Sequence, residues 1–121
     1  MLFGTKLEQC MTEKRLYLNP KLTISDVAAA IGSNRTYLSD YLNKNLGVTF
    51  YEYVNRYRVM EACEILVDEN NHLLKEVAEK SGFNSLSTFH RSFLKEMKIT
   101  PLQYKTNKNC CIDIKYCCID I

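Results

Sequence analysis

Apolar residues recur along the chain at helical rather than strand spacing. In residues 5–18, Leu7, Cys10, Met11 and Leu18 fall roughly along one side. This stretch opens on Thr5-Lys6-Leu7-Glu8, the spacing of a capping box, in which a hydroxyl and a carboxylate satisfy N–H groups left open at a helix start. Asn19-Pro20 ends it. Thr23 then offers an N-cap and Asp26 an acid in the first turn, ahead of Ile24, Val27, Ala28 and Ile31 at i, i+3, i+4 and i+7. Gly32 breaks the pattern, and Asn34 can cap a second helix that buries Leu38, Tyr41, Leu42 and Leu46 before Gly47 stops it. Thr49-Phe50-Tyr51-Glu52 is another capping box and opens a long helix to about Val67. Its apolar set is Phe50, Tyr53, Val54, Tyr57, Ala62, Ile65 and Leu66, and Asp68-Glu69-Asn70-Asn71 is a polar stop. Beyond it, Leu74, Val77 and Ala78 precede Gly82, and Phe89, Phe93 and Met97 form the next buried face. Thr100-Pro101 sets a cap before a proline at the first helical position, starting a short helix through Tyr104.

The pattern is internally repeated. Val27, Ala28, Gly32 and Asn34 match Val77, Ala78, Gly82 and Asn84 at an offset of 50. After a one-residue insertion, Leu38, Leu42, Leu46, Thr49 and Tyr53 match Phe89, Phe93, Met97, Thr100 and Tyr104 at 51. Two copies of one supersecondary unit are present. Each reads as helix, tight turn, helix, with Ala28 and Ala78 where two steeply crossing helices must approach closely.

Composition narrows the field. The 121 residues are 46% hydrophobic and 25% charged, with only 4 Gly and 2 Pro, which fits one folded, mostly helical domain. No run nears the ~18 apolar residues of a membrane span, no signal-peptide pattern opens the chain, and the expected location is cytoplasmic. The net charge of +2 is unevenly spread: residues 1–22 carry +2, residues 50–73 carry −3 and residues 74–105 carry +3. Such clustering suits an anionic partner, although on charge alone a solvated face is the favoured reading. Of the 6 cysteines, Cys10 and Cys63 lie in the patterned region and read as buried, reduced thiols. The rest belong to a direct repeat, Cys-Cys-Ile-Asp-Ile, at 110–114 and 117–121, whose adjacent pairs fit metal-ligand spacing badly. The tail reads as extraneous. His72 and His90 are too isolated for a metal site or a catalytic triad, so no metal, cofactor or enzymatic activity is expected.

The sequence resembles the DNA-binding domain of the AraC/XylS family of bacterial transcription regulators. The residues that carry the resemblance are Val27-Ala28, Gly32 through Leu38, Gly47, and Tyr53, Arg58 and Ala62 on the linker. Val77-Ala78, Gly82-Phe83, Phe89 with Phe93, and Thr100-Pro101 with Tyr104 complete it. The resemblance spans about residues 5–105. It implies an all-α, homeodomain-like fold of two helix-turn-helix subdomains, residues 5–48 and 70–105, joined by a linker helix at 49–69, with residues 106–121 as the tail. It also implies double-stranded DNA as partner, RNA polymerase as a further partner, and a sensing or signalling domain not found in this stretch.

The second helix of each unit can present its outward residues to base edges in the major groove. In the first unit these are Arg35, Thr36, Ser39, Asp40 and Asn43, of which the resemblance assigns base reading to Thr36, Ser39 and Asp40. In the second they are Ser85, Leu86, Ser87, His90, Arg91 and Lys95. Arg91 can grip guanine O6 and N7 together, and Leu86 can touch a thymine methyl. Asp40 can accept from a cytosine amino group but repels phosphate. Plain solvent exposure is the bland reading of each small polar residue. Arg58 reads as a structural ion-pair partner of Glu61 or of another acid rather than a base reader. A linker of roughly 27 Å set against a DNA turn of about 34 Å predicts one chain reading a bipartite, non-palindromic site. Two alternatives stand beside DNA binding. One is a helical protein-interaction module, and the other is a fragment of a DNA-repair methyltransferase, for which the tail supplies no zinc-thiolate domain.

Overall fold

A computed structural model describes residues 3–67 and 73–106. Their regular elements are all helical, with no strand among the described residues. In chain order they form α1 (Phe3–Lys14), a 3₁₀ turn (Leu16–Leu18), α2 (Ile24–Ala30), α3 (Arg35–Tyr41) and a π turn (Leu42–Leu46). Then follow α4 (Phe50–Leu66), α5 (Leu74–Lys80), α6 (Leu86–Met97) and α7 (Pro101–Thr106). The chain divides into two compact units at Tyr57/Arg58, inside α4. His72, the Asp68–Asn71 stop and the cysteine tail lie outside the described residues.

The first unit closes around Leu7, Met11, Val27, Leu38 and Leu42, all essentially without solvent contact, with Tyr53 and Val54 from the start of α4. Burying a side chain of this size contributes about 1.5–3 kcal/mol each. Its aromatic content is mainly tyrosine: Tyr17 stacks on Tyr57 at 5.5 Å and Tyr53 meets Tyr57 edge-on at 5.3 Å. The Tyr53 and Tyr57 hydroxyls are 3.3 Å apart and share a hydrogen bond. Burial foremost, then that hydrogen bond and the charge of Glu8, push the Tyr53 phenol well above its usual range.

The second unit is built mainly on phenylalanine rings. Phe83, Phe89, Phe93 and Tyr104 form an unbroken series of contacts at 5.3, 5.8 and 5.6 Å between neighbours. Val59, Ala62, Leu66, Val77 and Ala78 pack around them. Arg58 is 5% exposed, with its guanidinium 6.0 Å above the Phe83 ring, so it serves the core and faces no solvent groove. Pro101 at the first position of α7 is buried, and Thr100 and Gln103 close a reciprocal capping box in front of it at 3.1 and 2.8 Å.

Several expectations are corrected. Thr5 and Glu8 form no capping box, because α1 already runs from Phe3 and Thr5 lies inside it. Phe3 packs at 4.8 Å on both Tyr37 and Tyr41, and that contact favours an earlier start. At the other end α1 stops at Lys14, where Arg15 turns left-handed (φ 50°) and a 3₁₀ turn delivers Tyr17 to the core. Leu46, expected inside, is 44% exposed. The winding widens to a π turn from Leu42, so a residue four positions on no longer stacks over its predecessor. Val48 fills the interior instead, its N–H donating to the Leu42 carbonyl at 3.1 Å.

Candidate nucleic-acid interface

Both units build the same corner from backbone chemistry. In the first, Thr23 and Asp26 exchange hydrogen bonds at 3.2 and 3.1 Å and start α2. That helix ends in a Schellman motif: Ser33 N–H donates to the Ala28 carbonyl at 2.8 Å and Gly32 N–H to that of Ala29 at 3.1 Å. The motif needs a left-handed residue, supplied by Gly32 at φ 71°. In the second unit Phe83 N–H donates to Ala78 and Gly82 N–H to Glu79, with Gly82 at φ 94°. Val27 and Ala28, like Val77 and Ala78, are buried where the helices of each corner meet.

The second helix of each corner begins on a side-chain cap. Asn34 Oδ1 accepts from Tyr37 N–H at 2.9 Å, and Ser85 Oγ accepts from Thr88 N–H at 3.1 Å. The caps stand 51 residues apart, so the structural counterpart of Asn34 is Ser85 and not Asn84. The inserted residue of the second repeat lies in its turn. Ser85 is exposed but sits before α6, and its hydroxyl is engaged with Thr88, to whose Oγ1 it also donates at 3.0 Å.

This register aligns the outward faces. Thr36, Ser39 and Asp40 on α3, with Asn43 in the first residues of the π turn, stand at i, i+3, i+4 and i+7. Leu38 and Leu42 point into the core from the same segment. Thr36, Asp40 and Asn43 are exposed and Ser39 is half-buried; Arg35 is exposed beside them. Their counterparts on α6 are Ser87, His90, Arg91 and Leu94, all exposed, with Leu86 in the place of Arg35. Lys95, also exposed, corresponds to Lys44. Two side chains were missed in the sequence reading. Leu94, 42% exposed, could have been found by carrying Asn43 across the offset of 51. Tyr37, 55% exposed, looks apolar in a sequence pattern, and only its contact with Phe3 explains its position. The aligned positions differ in charge: Asp40 stands where the second unit has Arg91.

Residues 27–107 match the family described as Helix-turn-helix domain. The chain is also 36% identical over 88 residues, 73% of its length, to the uncharacterized HTH-type transcriptional regulator YtdP of Bacillus subtilis. The chain belongs to the AraC/XylS family of helix-turn-helix domains. Solved structures share its fold. An AraC-type DNA-binding transcriptional regulator from Chromobacterium violaceum has a TM-score of 0.72 at 20% identity, over 87% of this chain and 93% of that one. The DNA-binding domain of AdpA, solved with a target DNA, has a TM-score of 0.68 at 17% identity, over 88% and 92%. The AraC/XylS match covers only part of longer proteins: the chain spans 11% of YtdP and 38% of a response regulatory protein of Staphylococcus epidermidis.

Among the described residues of this AraC/XylS domain, no group of three or more His, Cys, Asp or Glu could hold a metal ion. None of its described helices is long and apolar enough to cross a membrane. Cys10 is buried and Cys63 half-buried, and neither forms a disulfide.

Proposed function

We propose that the chain binds double-stranded DNA as the base-reading module of a bacterial transcription regulator, with the outward stripes of α3 and α6 entering the major groove. The observation that carries this reading is the repeated corner with matched exposed stripes. Each stripe is two helical turns long, directly behind a capped helix start, the part of a helix that reaches base edges. Thr36, Ser39, Asp40 and Asn43 would read one subsite and Ser87, His90 and Arg91 the other. Arg35, Leu86 and Lys95 would flank them, and Ser85 would act through its cap. Arg91 supplies the strongest single contact, since a guanidinium matches guanine bidentately. The cations of residues 74–105 supply the phosphate attraction. The work is binding, without catalysis, and the setting is the cytoplasm. The share of the relatives left uncovered supports a separate sensing or signalling domain, and RNA polymerase is the partner such a regulator would address.

Selection of bound sequences from random duplexes, followed by a salt titration on the winner, tests this reading. A shared motif should emerge, and the logarithm of affinity should fall with that of salt by a slope of about −0.9 per phosphate neutralised. No enrichment together with a flat salt response would overturn it. One observation favours a second reading for the first unit alone. Asp40 places an exposed carboxylate in mid-stripe, which repels phosphate and suits a basic protein surface. Selection that yields a half-length motif read only by α6 would favour this alternative.

A further inference from the structure

The first unit contains a cleft of about 720 Å³ whose lining includes none of Arg35, Thr36, Ser39, Asp40 and Asn43. Its volume lies in the range of small-molecule sites, about 300–1,000 Å³. Its walls are aromatic: Phe3 and Tyr41 come from one set of touching rings, and Tyr53 and Tyr57 from another. Tyr37 stands 55% exposed at its edge. Gly4 belongs to the lining as well, and the Tyr41 hydroxyl occupies the space a side chain there would need.

The charge balance of the lining is one-sided. Glu8 is the sole charged residue in it, and no Lys, Arg or His lines the cleft. Glu8 has no ion-pair partner among the described residues. Its carboxylate is near enough to the Tyr53 phenol to oppose that group's ionisation. Ring faces carry the negative part of the aromatic quadrupole, so a cleft lined by these rings and one carboxylate suits a cation that also has apolar surface to bury. An anion would meet repulsion from Glu8, and a neutral apolar molecule would desolvate the carboxylate without compensation.

We propose that this cleft binds a small organic ammonium cation, its alkyl surface held against the tyrosine rings and its charge facing Glu8. Tyr37 adjoins the outward stripe of α3, so binding is read with no DNA present, and its failure leaves the function proposed above untouched. Choline serves as the probe, together with its neutral isostere in which carbon replaces the quaternary nitrogen. Amide chemical shifts are followed on the whole chain by NMR, with no DNA present. The expected result is saturable shifts at Gly4, Glu8, Tyr37 and Asn45 with choline, and none that saturate with the isostere. Glu8→Gln and Tyr37→Leu should each weaken choline binding about three- to tenfold. Both side chains are exposed, and circular dichroism checks that each variant is folded. Absence of saturable shifts, equal binding of the isostere, or unchanged affinity in folded Glu8→Gln would each overturn the proposal.

Discussion

Exchanging the residue types at Gly47 and Lys98 tests the repeat at its most local level. Both end the second helix of their unit in the left-handed region, Gly47 at φ 66° and Lys98 at φ 67°, and they stand 51 positions apart. Glycine takes this conformation freely, whereas an L side chain there costs about 1–2 kcal/mol. Lys98→Gly removes that cost but gives the unfolded chain more freedom, worth about 0.4–1 kcal/mol against folding. The net gain should be about 0.5–1 kcal/mol. For a domain of 60–100 residues each kcal/mol moves Tm by about 4–8 °C, so Tm should rise by roughly 2–8 °C. Gly47→Ala should do the reverse by a similar amount. A Cβ added at Gly47 meets nothing within 4 Å, so no clash contributes and the loss comes from the backbone alone. Thermal melts of the DNA-free chain, followed by far-ultraviolet circular dichroism, measure both changes. They also exclude any contribution of the Lys98 charge to phosphate binding. A lower Tm for Lys98→Gly, or a higher one for Gly47→Ala, would refute the equivalence of the two helix ends.

Three further outcomes are expected. Arg91→Ala should relax base preference at one position of the selected site, at about 1–3 kcal/mol, whereas a uniform loss on all duplexes would restrict Arg91 to phosphate. If one chain reads a bipartite site, inserting about five base pairs between the subsites turns one of them to the opposite face of the duplex. Affinity should then drop towards that of a single unit, and electrophoretic mobility shifts would show it. The Tyr53 phenol has its folded pKa raised above the ordinary 10.0, so its contribution to stability is intact below pH 10.0 and is lost as pH rises through the folded value. Denaturant titrations should lose stability as pH rises above 10.0, and Tyr53→Phe should flatten the dependence.

The repeat, the capped helices and both phenylalanine and valine-alanine cores were legible because each rests on short-range chemistry. Thr23, Asn34, Thr49 and Thr100 cap helices as their spacing implies, and Gly32 and Gly82 take the turns that only glycine occupies without strain. What was illegible depends on tertiary contact. Thr5-x-x-Glu8 has the spacing of a box, yet packing of Phe3 on two tyrosines extends the helix past it. The π turn has no marker in a hydrophobic pattern, and it exchanges the expected Leu46 for Val48 in the interior. Arg58 breaks the rule that a charge faces water, and its place over Phe83 is visible only once the second corner has folded. The cap of α6 was legible only to within one residue, Asn84 standing in for Ser85, because the insertion falls inside the turn and not after it.

The division of the cores by ring type gives the chain a built-in optical reporter. The chain has no tryptophan, and Tyr17, Tyr37, Tyr41, Tyr51, Tyr53 and Tyr57 all belong to the first unit, against Tyr104 alone among the described residues of the second. Ultraviolet emission and near-ultraviolet dichroism, in which phenylalanine is faint, therefore report mainly on one half of the molecule. Without any label, a spectroscopist can tell whether an added ligand or duplex alters the surroundings of the first unit, which holds six of the eight tyrosines.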